Sequence, residues 1–133
     1  KGFYGAGEEH SHKATFVVDA DEPEALLGGG TAAGPGEFVL IALASCIATS
    51  VAYHAAARGI RVESLESSLE GNIDLRGFLG LSEETPNVFQ NIGVTLKIKS
   101  DATAEQLKEL AGLSPVLDTL TRAVPVTINV EAS

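Results

Sequence analysis

The sequence predicts an α+β fold: an antiparallel sheet with a long buried central helix and two short helices. Three observations carry that expectation. Phe38–Ala57 is a run of twenty residues without Asp, Glu, Lys or Arg. After Gly59 the pattern switches to apolar and polar alternation over two long stretches. Two short segments near the C-terminus each open on helix-capping residues. The expected order is strand, long helix, two strands, two short helices, strand, in a single domain spanning residues 1–133.

Residues 1–11 are Gly-rich with little periodicity and read as a frayed strand or an arm. His12–Ala20 alternates loosely, with Ala14, Phe16 and Val18 on one face, and is expected to be a strand. His10 and His12 would share a strand face. With no third ligand close in sequence, they read as solvated histidines rather than a metal pair. Residues 19–36 are turn-rich. Their Gly28-Gly29-Gly30 lacks both the Lys-Ser/Thr of a phosphate loop and the spacing of a dinucleotide site, so a flexible loop is expected.

The apolar run reads as a helix. Glu37 complements its first amides, Arg58 its last carbonyls, and Gly59 reads as its stop. Its length would suit a membrane span. However, seven of the twenty residues are Ala, and Ser45, Cys46, Thr49, Ser50 and His54 are polar, so a buried core helix is expected instead. Cys46, Ser50 and His54 are four apart. Each such step turns about 40° on a helix, so they form one drifting polar seam. A seam carrying a thiol is a candidate site. The structural alternative is a close-packed helix whose Ser and Thr bond back to their own turn.

Arg61–Leu75 alternates, with Leu65, Leu69, Ile73 and Leu75 on one face, and Gly71 reads as a bulge position. Residues 76–87 read as a loop whose Phe78-Leu79 pair is expected to pack on something. Val88–Lys99 is the cleanest strand, with Phe89 on the polar face. Thr103 and Gln106 form a capping box that opens a helix to Leu113. Ser114-Pro115 reads as N-cap and first residue of a second short helix through Arg122. Val124–Glu131 reads as a closing strand with Val124, Val126, Ile128 and Val130 inward.

The formal net charge is −9, which argues against nucleic acids and anionic membranes as partners. One cysteine cannot form an internal disulfide, and no signal peptide is visible, so a cytoplasmic protein is expected. No cofactor or metal is expected.

Three stretches together carry a resemblance: GPGEFVLIALASC at 34–46, DLRGFLGL at 74–81 and SPVLDTLTRAVPV at 114–126. The chain, from about Asp21 to its C-terminus, resembles the OsmC/Ohr family of osmotically inducible and organic-hydroperoxide-resistance proteins. That resemblance implies an intertwined homodimer that reduces organic hydroperoxides with thiols at sites on the subunit interface. It implies a peroxidatic Cys on the central helix, matched by Cys46, and a Glu near that helix's start, matched by Glu37. It also implies an Arg from N-terminal strands and a second Cys before the late helix. The chain departs at both of the latter: Ser114 fills the second Cys position, and the N-terminal region offers only Lys1 and Lys13.

Such chemistry needs a thiolate, which apolar surroundings disfavour and a nearby cation restores. Arg58 is twelve residues from Cys46, about 18 Å along a helix, and cannot serve in its own chain. Arg76 is the candidate cation. Glu37 is nine residues from Cys46, about 13.5 Å and half a turn away, so it can approach only the Cys46 of a second helix. Ser114 and His54 read as structural. The expected function is a thiol-dependent, one-Cys peroxidase-like protein acting through Cys46, Glu37 and Arg76. Its partners would be a second copy of the chain, an external thiol reductant and a small organic hydroperoxide. The alternative is a catalytically weak or inactive relative that binds an apolar small molecule at the dimer interface. A single chain is expected to leave Ala42, Ala48, Ala52 and Ala56 uncovered, as a close-packed second helix would require.

Overall fold

The computed structural model describes the backbone of residues 2–5 and 8–11, and residues 16–132 in full. The chain divides into two compact units, Lys1–Pro35 and Gly36–Ser133.

In the first unit, β1 (Gly2–Gly5) and β2 (Glu8–Ser11) pair antiparallel, with Phe3 opposite His10. The region read as a frayed strand is thus a hairpin. Of the strand expected over His12–Ala20, residues 12–15 lie outside the described residues. Phe16–Ala20 has no regular structure, and Phe16, Val17 and Val18 are exposed. Loose alternation makes a strand only where another strand pairs with it.

The Gly-rich connection is closed on Asp21 rather than flexible. The Asp21 carboxylate accepts the backbone N–H groups of Glu22 at 2.8 Å, Gly29 at 3.1 Å and Thr31 at 3.0 Å, and the Thr31 hydroxyl at 2.8 Å. The Thr31 bonds lead in holding this carboxyl at about 2, below its ordinary 3.8. The loop amides a phosphate would need are therefore occupied, those of Gly29 and Thr31 by the Asp21 carboxylate and those of Gly28 and Gly30 by the Pro23 and Glu22 carbonyls.

The second unit is built on α1 (Pro35–Ala57). The helix starts three residues before the uncharged run, at a proline suited to a first turn that needs no N–H donor. It stops at Gly59, whose φ of +69° is open to glycine. The Ile60 N–H then folds back onto the Ala55 carbonyl at 2.9 Å, and the Arg58 guanidinium donates to the His54 carbonyl at 3.3 Å.

Strands β3 (Val62–Ile73) and β4 (Phe89–Ser100) pair antiparallel, with Leu65 opposite Ile98 and Leu69 opposite Val94. Their apolar face packs on a stripe of α1: Leu43, Ile47, Val51 and Ala55. The other face is polar, with Glu66 opposite Lys97 and Ser68 opposite Thr95. A register shift between Asn72 and Ile73 corrects the alternation read from sequence. It places Phe89 opposite Ile73 and brings its ring toward the start of α1, within 3.4 Å of where a Cβ on Gly36 would stand. Gly71 admits that ring, since a Cβ there would stand 2.7 Å from it.

Two short helices complete the unit. α2 (Ala104–Ala111) opens on the Thr103–Gln106 capping box. α3 (Pro115–Thr121) opens on Ser114, whose fully buried hydroxyl accepts the Leu117 N–H at 3.2 Å. Leu107, Leu110 and Ala111 of α2 join the α1 stripe in the core. Ser50 does not bond back to its own turn. Its buried hydroxyl donates to the Leu110 carbonyl at 2.9 Å and ties α1 to the end of α2.

Two further expectations fail within the single chain. Phe78, Leu79 and Leu81 are exposed rather than packed. Val124–Glu131 forms no strand, and its inward set Val124, Val126, Ile128 and Val130 is exposed. A strand pattern has no structure of its own until an edge accepts its backbone groups.

Among the described residues, α1 is the one helix long and apolar enough to cross a membrane by length and composition. Among the described residues of its own unit, the helix is covered on one side. Ile41, Ala42, Ser45, Thr49, Ala52, Tyr53 and Ala56 are exposed, and Ala48 is half-buried.

The Ser50 bond yields a stability prediction. The Leu110 carbonyl also accepts the Leu113 N–H, so Ser50→Ala leaves it partnered. The loss is then that of one ordinary hydrogen bond, about 1 kcal/mol. Urea denaturation of Ser50→Ala is expected to show a lower midpoint with an unchanged slope.

Candidate functional site

Cys46 is half-buried on α1, the one free thiol of the chain. It follows the buried Leu43 by three positions and precedes the buried Ser50 by four. It therefore sits at the margin between the core stripe and the exposed face. The polar seam read from sequence is divided by the structure. Ser50 is absorbed into the tie to α2. His54 is half-buried, about 12 Å along the axis from Cys46. Cys46 is the seam residue that reaches the boundary with a nucleophile.

Glu37 is exposed in the first turn of α1, where its charge complements the helix amides. Glu37 and Cys46 lie on one continuous helix, so their separation is fixed at about 13.5 Å and half a turn. One chain does not bring them together.

Arg76 has a carboxylate of its own. It meets Asp74 fork to fork, with Nε donating to Oδ1 at 3.0 Å and Nη2 to Oδ2 at 2.5 Å. The Arg76 backbone N–H donates to the same carboxylate at 3.1 Å. The apolar neighbours that singled Arg76 out do not bury it, for its side chain is 66% exposed. The guanidinium contact, followed by the backbone N–H, holds the Asp74 carboxyl at about 2 against an ordinary 3.8. The same pairing raises Arg76.

Beside the N-terminal end of the buried α1 stripe lies an apolar cavity of about 460 Å³. Val39 and Leu43 of α1 form its floor, Phe89 and Ile92 of β4 one wall, and Leu117 and Leu120 of α3 the other. Asn91 and Thr121 are its polar lining residues. Cys46 is not a lining residue. It stands seven positions after Val39, within about 20° of it around the helix, one turn beyond the floor. Sequence reasoning missed this cavity because it placed Phe89 on the wrong face. Only the register shift moves that ring inward, and no residue pattern marks it. Among the described residues, no group of three His, Cys, Asp or Glu side chains is placed to hold a metal.

The profile of the OsmC-like protein family matches residues 28–129. The match spans most of the chain and contains Glu37, Cys46, Arg76 and Ser114. The chain belongs to the OsmC-like family. Among solved structures, it is similar to a protein of Psychrobacter arcticus 273-4 provisionally described as an osmotic stress induced and detoxification response protein. The two share 15% identity over 90% of this chain and 85% of that one, with a TM-score of 0.62, a likeness of fold. No curated protein matches.

The Asp74 pairing predicts a pH dependence. A carboxyl whose folded value is depressed adds stability that is fully present above its unfolded 3.8 and lost as pH falls through about 2. Carbon-detected NMR titration is expected to place the Asp74 midpoint near 2. Arg76→Gln is expected to return it toward 3.8.

Proposed function

We propose that this protein is a one-Cys thiol peroxidase for organic hydroperoxides, with Cys46 as the nucleophile. One observation carries the reading. In a chain of the OsmC-like family, the single thiol stands on the central helix at the edge of the core, while its polar neighbour Ser50 has a structural task. A lone cysteine also suits the reducing cytoplasm, where it needs no disulfide partner.

The chemistry balances with an external thiol. The Cys46 thiolate attacks one oxygen of the hydroperoxide, the O–O bond breaks, and the alkoxide leaves with a proton as the alcohol. Cys46 is then a sulfenic acid. A reductant thiol displaces its hydroxyl as water and forms a mixed disulfide. A second thiol attacks that disulfide and returns the Cys46 thiol. Ser114, buried as a helix cap, offers no resolving sulfur. Arg76 is the cation this reading assigns to the thiolate, a role that requires it to share or leave Asp74.

The working form in this reading is a homodimer. The exposed side of α1, rich in Ala42, Ala52 and Ala56 between Ile41 and Tyr53, suits close approach of a second copy of the helix. A two-fold, antiparallel arrangement carries Glu37 of one chain toward Cys46 of the other. That supplies the pairing a single helix cannot make.

Consumption of cumene hydroperoxide with a dithiol reductant tests the chemistry. The wild-type protein is expected to turn over and Cys46→Ser to be inactive; equal rates would end this reading. The dimer is tested separately. Its thermal midpoint is expected to rise with protein concentration. A folded monomer at nanomolar concentration, seen by fluorescence-detected ultracentrifugation, would refute it.

A further inference from the structure

Reduction of a hydroperoxide at Cys46 releases an alkoxide, a strong base that must take up a proton as it leaves. The groups discussed so far do not supply that proton from within one chain. Glu37 is fixed half a turn and about 13.5 Å away. Arg76 is paired with Asp74. Ser50 gives its hydrogen to the Leu110 carbonyl. His54 is eight positions on from Cys46 and about 80° round the helix.

Tyr53 is placed differently. It follows Cys46 by seven positions, which puts it within about 20° of the thiol around α1 and about 10.5 Å along the axis. It is 74% exposed, and among the described residues its hydroxyl has no hydrogen-bond partner. The hydroxyls of Ser50, Thr119 and Thr121, by contrast, all donate to backbone carbonyls. A long helical side chain lies over the turn N-terminal to its own Cα. For Tyr53 that is the turn of Thr49 and Ser50, which separates it from Cys46. The lean brings the phenol about one turn closer and leaves roughly 5 Å along the axis between hydroxyl and thiol.

That gap fits a bound peroxide. Attack needs about 3–3.5 Å between sulfur and oxygen. A proton donor needs about 2.6–3.2 Å to the oxygen that leaves. A hydroperoxide bent between Cys46 and Tyr53 meets both. Thr49 does not compete for this task. Three positions from Cys46, its Cβ lies about 5–6 Å from that of the cysteine, beside the thiol rather than beyond a peroxide.

We propose that Tyr53 is a catalytic residue of the Cys46 site, donating its phenolic hydrogen to the leaving oxygen of an alkyl hydroperoxide. The inference rests on the one-Cys reading of Cys46. The thiolate bonds to the terminal oxygen as the O–O bond breaks, and the electron pair of that bond goes to the oxygen bearing the organic group. That oxygen takes the Tyr53 proton and leaves as the alcohol. Cys46 is oxidised to the sulfenic acid and the hydroperoxide is reduced. The proton that the thiol released to solvent on ionising returns to Tyr53. Nucleophile and donor lie on one helix, so each copy of the chain carries this pair intact.

Single-turnover oxidation of reduced Cys46, read by dimedone trapping of the sulfenic acid, tests the role in wild type and Tyr53→Phe. Two oxidants separate it from packing. Cumene hydroperoxide expels a basic alkoxide that needs a proton. Peracetic acid expels a carboxylate that needs little help. Tyr53→Phe is expected to slow oxidation by cumene hydroperoxide about a hundredfold. Its rate with peracetic acid is expected to stay within about twofold of wild type, because phenylalanine keeps the ring. Equal rates of wild type and variant with cumene hydroperoxide would overturn the proposal. So would an equal loss with both oxidants, which would make the ring a packing element. In both cases oxidation of wild-type Cys46 leaves the one-Cys reading standing. A wild-type Cys46 that cumene hydroperoxide does not oxidise would end that reading and the role of Tyr53 with it.

Discussion

A helix that is apolar nearly all round asks to be covered nearly all round, and the described residues of its unit cover one side of α1. The covered side is the strongest feature of the fold. Leu43, Ile47, Val51 and Ala55 are almost completely buried under β3, β4 and α2. Everything else in the second unit is placed relative to that stripe. The two strands turn their apolar faces to it, and α2 is held to it by Leu107, Leu110 and the Ser50 bond. The uncovered side carries small residues between Ile41 and Tyr53. Water is a poor solvent for such a surface, which is the ground for the proposed second copy of the helix.

The same constraint governs the chemistry. Because α1 is continuous, it separates Glu37 from Cys46 by a fixed rise and rotation that no side-chain motion overcomes. The Arg76 guanidinium is balanced by Asp74. Of the groups the family resemblance assigns to the reaction, Cys46 and Glu37 are present but held apart on one helix, and the candidate cation Arg76 is paired with Asp74. A second helix packed on the exposed side of α1 would remedy the uncovered surface and the separated groups in one step.

Much of this was legible in the sequence, for reasons that are local. The caps at Thr103 and Ser114, the stop at Gly59 and the first-turn charge of Glu37 depend on residues within four positions of one another. The alternation of β3 and β4 was legible because one face is buried and the other is wet. What was not legible depends on contacts distant in sequence. Phe89 changes face through a register shift that the sequence does not encode as a pattern. Ser50 chooses a carbonyl sixty residues away over its own turn. The Gly-rich loop is ordered by a carboxylate eight and ten residues upstream of the amides it binds. The closing strand was read from alternation alone, and in the structure its backbone has found no edge.

The central claim is that the reactive site is completed by a second copy of the chain. Complementation between two defective chains tests it most directly. Glu37→Gln and Cys46→Ser chains carrying different tags would be co-expressed, and the mixed dimer isolated through both tags. In that dimer one site holds intact Cys46 and intact Glu37 from opposite chains, and the other site holds neither. The account predicts that each parent homodimer is poorly active and that the mixed dimer recovers about half of wild-type hydroperoxide turnover. Turnover in the mixed dimer no higher than the mean of the two parents would contradict it.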